Sequence, residues 1–268
     1  MPRRVIVAAV ALVLAPSALA AYPTPYAAQG NPGVLSRDGW LRYVAYEAPG
    51  QRTRLETVEA GTGSRVKSAT LPGAFGIPML TYTGVSGGLS ADGTILVLQS
   101  MELPPTTQFR IVRTGDLTVR DTISLKGLFG YDALSPDGRT LYLIQRSSSS
   151  DLDHYVVRAY DLGTHKLLPG RIADRTQKSW VMQGRATART TSADGRWVYT
   201  LYANPGGYPF VHALDTVKAV AHCVGIPWPA TDGSQEGVYK LLLSIEGRTL
   251  KVGAYATIDR TTFRLKKL

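Results

Sequence analysis

Ser135-Pro136-Asp137-Gly138-Arg139-Thr140-Leu141-Tyr142-Leu143-Ile144 reads as the end of one strand, a tight turn at Asp137-Gly138, and the start of a second strand. An Asp side chain accepts hydrogen bonds from backbone N–H groups two residues on, and Gly adopts the positive φ such a turn needs. The residues that follow are strand formers. The pattern recurs. Ser36-Arg37-Asp38-Gly39 precedes Trp40-Leu41-Arg42-Tyr43-Val44, and Ser90-Ala91-Asp92-Gly93 precedes Thr94-Ile95-Leu96-Val97-Leu98. Ser192-Ala193-Asp194-Gly195 precedes Arg196-Trp197-Val198-Tyr199-Thr200. A weaker fifth copy, Ser244-Ile245-Glu246-Gly247, precedes Arg248-Thr249-Leu250-Lys251-Val252.

The turn glycines stand at 39, 93, 138, 195 and 247. Within each interval lie short strand-like runs separated by Gly, Asp, Asn and Pro. No helical periodicity persists outside the N-terminal twenty residues. Four short strands per unit at a period of about 50 residues mean a propeller or an array of sheets. Packing the units around an axis buries faces that no single sheet can bury alone. The expected fold class is therefore all-β, a β-propeller of five four-stranded blades. The Ser-x-Asp-Gly core, followed by a turn such as Asp161-Leu162-Gly163-Thr164, resembles the bacterial WD-like and YVTN-type β-propeller repeats. The resemblance covers nearly all of the chain after residue 20. It implies fold more than function, because such propellers host enzymes, periplasmic partners and binding modules. Five copies are fewer than the usual six or seven, and the fifth is degenerate. A closed five-bladed ring is expected, with an incomplete or self-associating ring as the alternative. Closure is expected to use Tyr22 to Gln29 as a strand beside Phe263 to Lys266.

The chain begins Met1-Pro2-Arg3-Arg4, continues with an apolar run from Val5 to Ala15, and reaches Ala18-Leu19-Ala20. Basic, apolar, then small is the pattern of a secretory signal peptide. Residues 1–20 are expected to be removed, leaving residues 21–268 as one propeller domain in the extracytoplasmic space with no transmembrane span. The single cysteine, Cys223, forbids an internal disulfide. The net charge of +10 comes from scattered basic residues. It favours loose association with anionic cell-envelope polymers. No basic stripe is interleaved with aromatics, so nucleic acid is not an expected partner.

Ligands of propellers gather at one end of the central channel, where long loops contribute. Three loops stand out: 73–79, 174–180 and 225–236. They present Asp174, Arg175, Trp180, Trp228, Asp232 and Glu236. A rigid indole beside hydrogen-bonding groups makes a platform for sugar or peptide; alternatively Trp180 and Trp228 pack between blades. Three residues before the turn Ser stand Gly33, Gly87, Asp132, Arg189 and Leu241. Asp132 and Arg189 put charge into an otherwise uncharged register, where they either pair or line the channel. Asp151-Leu152-Asp153-His154 and the alternating Asp232, Ser234 and Glu236 match no full calcium or zinc spacing. No nucleophile elbow or phosphate-binding loop occurs, and no cofactor is called for. The leading expectation is a non-catalytic module binding a ligand, an unidentified protein or a glycan. The alternatives are a lactonase or glycan hydrolase using channel carboxylates, and a basic envelope-associated structural protein.

Overall fold

In the computed structural model the chain is described over residues 27–30, 32–101, 105–148, 150–174, 181–229 and 234–268. The leader expected at residues 1–20 lies outside them, as do Arg175, Trp180 and Asp232. The described residues form five antiparallel sheets built in chain order. The first blade runs Val34–Leu35, Leu41–Ala48, Arg52–Glu59, Arg65–Pro72. The second runs Phe75–Pro78, Ile95–Ser100, Thr106–Arg113, Val119–Lys126. The third runs Phe129–Leu134, Thr140–Arg146, His154–Asp161, Lys166–Leu167. The fourth runs Arg185–Thr191, Trp197–Ala203, Phe210–Asp215, Val220–Gly225. The fifth runs Leu243–Glu246, Thr249–Val252, Ala256–Asp259, Leu265–Lys267. This is the all-β propeller of five four-stranded blades that the repeat predicts.

The repeat works as a self-capped turn. Ser135 Oγ donates to Asp137 Oδ1 at 2.5 Å, and the same oxygen accepts the Arg139 N–H at 3.1 Å. The Thr140 N–H closes the loop on Ser135 Oγ at 2.9 Å. Ser36 with Asp38, Ser90 with Asp92 and Ser192 with Asp194 repeat the Ser–Asp bond. The fifth copy does not. There Glu246 pairs directly with Thr249, so the connection is a two-residue hairpin with Gly247 at φ +54. Glu246 instead reaches Lys251 Nζ at 2.7 Å.

Each step from one blade to the next carries its own apolar cluster. Tyr43, Leu55, Phe75 and Leu98 join the first and second blades. Ile111, Phe129 and Leu143 join the second and third, Tyr142, Val157 and Tyr202 the third and fourth, and Leu201, Val211, Leu250 and Ile258 the fourth and fifth. Among the described residues no such cluster joins the fifth blade to the first. The fifth blade's other face carries Ser244, Lys251, Thr257 and Lys266, opposite one another in register.

Of the closing strand expected at Tyr22 to Gln29, residues 22–26 lie outside the described residues, and the rest departs from expectation. Ala27 and Ala28 pair with Pro78 and Ile77 of the second blade, while Leu265–Lys267 completes the fifth sheet beside Ala256 to Ile258. Gly76 permits the approach: a Cβ there would stand 2.6 Å from the Ala28 carbonyl oxygen.

Candidate functional site at the channel mouth

The second blade's inner strand is split. Phe75 and Gly76 pair with Ser100 and Gln99, and Leu89 bridges Leu96 further along. The expected loop at 73–79 is therefore largely strand, and the excursion lies at 79–87. This excursion is a hairpin, bridged at Met79 and Ser86 and closed by Leu80 N–H to Val85 O at 2.7 Å and Gly87 N–H to Pro78 O at 2.9 Å. Its tip docks on the fourth blade. Tyr82 N–H donates to Ala186 O at 2.8 Å, and Thr83 Oγ1 donates to Thr187 O at 2.6 Å. Thr187 occupies a break in register between Ala186 and Ala188, which frees its carbonyl from the ladder. Because second and fourth blades are not neighbours, the hairpin spans the channel.

Beside the hairpin lie Asp132 and Arg189, on the inner strands of the third and fourth blades. Arg189 Nη1 donates to Asp132 Oδ1 at 2.8 Å and to Thr200 Oγ1 at 2.9 Å. Its Nη2 donates to the Asp132 carbonyl. The two side chains are 6% and 5% exposed. They pair, and they also line the channel on both sides of the hairpin. From Arg189 a polar row crosses the fourth blade: Arg189 stands opposite Thr200, Thr200 opposite His212, and His212 opposite Cys223. Burial pushes the His212 imidazole down to about 4, partly opposed by Asp132. Its Nδ1 lies 3.4 Å from Cys223 Sγ. Burial pushes the Cys223 thiol up to about 12, which keeps it protonated and unreactive.

The hairpin divides the channel. On one side remains a water-sized space of about 30 Å³ among Tyr155, Tyr202, Arg146 and Tyr82. On the other, at the end ringed by the Ser-x-Asp-Gly turns, opens a cavity of about 380 Å³. Inner strands of the first four blades form its wall and the hairpin its floor. Among the described residues Asp132 is the only carboxylate in its lining.

The remaining expected site residues scatter. Asp174 Oδ2 accepts the Cys223 N–H at 2.7 Å, at the outer end of the polar row. Trp228 lies over Tyr255, ring centroids 5.0 Å apart, against the core of the fourth and fifth blades. Glu236 is exposed at the start of the short 3-10 helix Glu236–Lys240. Asp151 holds His154 Nδ1 at 2.8 Å and Asp153 holds Arg185 at 3.2 Å. Among the described residues no three His, Cys, Asp or Glu side chains gather as a metal site. Sequence reasoning missed the hairpin and Arg37, which lines the cavity mouth. It also missed Trp40, 75% exposed where the third to fifth copies carry Arg139, Arg196 and Arg248.

No protein family matches this chain, and no curated protein does. Solved structures do. The hydrazine synthase of Kuenenia stuttgartiensis aligns with a TM-score of 0.52 at 15% identity, over 84% of this chain and 63% of that one. The β-propeller domain of Cps50 (Swd1) from Myceliophteria thermophila aligns with 0.50 at 12% identity, over 87% and 69%. TolB from Acinetobacter baumannii aligns with 0.46 at 14% identity, over 85% and 51%. At such identities the likeness to the first two shows the fold alone, and with the five sheets described above this chain is a β-propeller.

Proposed function

We propose that this propeller is a non-catalytic binding module of the extracytoplasmic space that holds a small ligand in its mouth cavity. The cavity carries the reading. At about 380 Å³ it falls in the range of small-molecule sites. The single carboxylate that the described residues give it is held by Arg189, whereas glycosidic hydrolysis needs a pair of carboxyl groups facing the scissile bond. The location rests on the leader pattern of residues 1–20. No helix among the described residues is long and apolar enough to cross a membrane.

The test is a thermal-shift screen of purified residues 21–268 against small metabolites, run in parallel on Ala193→Trp. Ala193 is exposed and lines the cavity, so the indole fills the space without disturbing a core. Expected hits raise the melting temperature of the parent and not of the variant. Turnover of an ester, lactone or glycoside by the parent protein would overturn the non-catalytic reading.

A further inference from the structure

The repeat provides an internal comparison at the cavity rim. The residue after the turn Ser is Arg37, Ala91, Pro136 and Ala193 in the four copies that build the capped turn. Three of these, Arg37, Ala91 and Ala193, line the cavity. The turn makes no use of an Arg there, since its hydrogen bonds belong to the Ser, the Asp and the backbone. Arg37 is exposed, and among the described residues its side chain has no partner.

The charge of the lining follows. Arg189 and Asp132 cancel, which leaves the Arg37 guanidinium in excess. The turn carboxylates nearby are directed into their own turns. Asp38, Asp92 and Asp194 each accept a Ser hydroxyl and the backbone N–H two residues on, and none lines the cavity. The rest of the wall is largely apolar, with Leu35 45% and Val85 38% exposed. Thr190 and Thr191 add hydroxyls that have no partner among the described residues.

We infer that the mouth cavity takes a small organic anion, a carboxylate on a hydrocarbon body, with Arg37 as its counter-ion. This rests on the cavity reading given above. A guanidinium matches a carboxylate with two parallel hydrogen bonds, and Leu35 and Val85 cover the hydrocarbon.

Three six-carbon probes of equal body and different head test it: hexanoate, hexanol and hexylamine, titrated calorimetrically at low salt into the parent and Arg37→Gln. Arg37 is exposed and outside every core cluster, so the variant keeps the fold, which circular dichroism checks. Hexanoate is expected to bind at least about tenfold tighter than hexanol, and the preference is expected to vanish in Arg37→Gln. Equal binding of hexanol and hexanoate overturns the inference and leaves the cavity standing. Tighter binding of hexylamine overturns it by showing that the turn carboxylates govern the mouth. A hexanoate preference that survives Arg37→Gln removes Arg37 from the role. If no probe binds, the inference falls, and the cavity reading falls with it only where the thermal-shift hits also persist in Ala193→Trp.

Discussion

Arg189 is a cation taken almost wholly out of water, and its three hydrogen-bond acceptors are what make that tolerable. Removing the carboxylate strands the charge. Asp132→Ala is expected to cost about 3–5 kcal/mol in urea unfolding. Pairing it with Arg189→Met is expected to recover much of the loss, because two apolar side chains need no partner. A single-variant loss below about 1 kcal/mol would show that water reaches the pair. His212 gives a pH signature. Burial holds its folded imidazole at about 4, against about 6.5 unfolded. Between those values the unfolded chain binds a proton that the folded chain refuses. Stability therefore falls as pH drops from 6.5 to 4, by at most about 3 kcal/mol. Urea midpoints measured across that window should flatten in His212→Gln; an unchanged slope would refute the assignment. The ion pair was legible because the repeats align themselves, and Asp132 and Arg189 break one register. Arg37 breaks another in the same way. His212 gave no such signal: its neighbours Thr200 and Cys223 lie one strand away on either side, and strand pairing is not written in local spacing.

The hairpin at 79–87 is the element that turns an open channel into a floored cavity. Its two ends must enter and leave one strand within a narrow gap, and Gly88 makes this possible. Gly88 sits at φ +98, and a Cβ there would stand 2.5 Å from the Val97 carbonyl oxygen. Gly88→Ala is therefore expected to lower stability by about 1–3 kcal/mol. Gly84, at the hairpin tip, also has positive φ but open space around it. Gly84→Ala should cost about 1 kcal/mol, the backbone term alone. Equal losses in chemical denaturation would show that contact with Val97 is relieved by a shift of the strand. The sequence marks 73–79 as a loop between strands, but the Pro and Gly residues that signal it also sit inside the split strand. The fifth turn misled for a related reason. Ser244-Ile245-Glu246-Gly247 has the letters of the repeat, but Glu246 opposes Thr249 in a shorter hairpin. Strand-forming runs bounded by Gly, Asp, Asn and Pro, by contrast, mark most of the other strands.

At the scale of the molecule, the blades are not held equally. The third blade has an apolar cluster on each face, with Leu141 and Leu143 in one and Tyr142 and Val157 in the other. Among the described residues the fifth blade has a cluster on one face only, and its strands are of 4, 4, 4 and 3 residues. Its second face carries Ser244, Lys251, Thr257 and Lys266. Local opening follows buried apolar contact, so the fifth blade should open first. In native-state hydrogen exchange the amides of Leu250, Val252 and Ile258 are expected to show smaller opening free energies than those of Leu141, Leu143 and Val157. Truncation to residue 33 should widen the difference little, because Ala27 and Ala28 brace the second blade and not the fifth. Equal protection across both blades would mean that polar contacts between the fifth and first blades seal the ring as firmly as the four apolar seams do. A fifth blade that exchanges early would mean that the fold is built as an arc of four cores, and that an apolar seam is not what joins its ends.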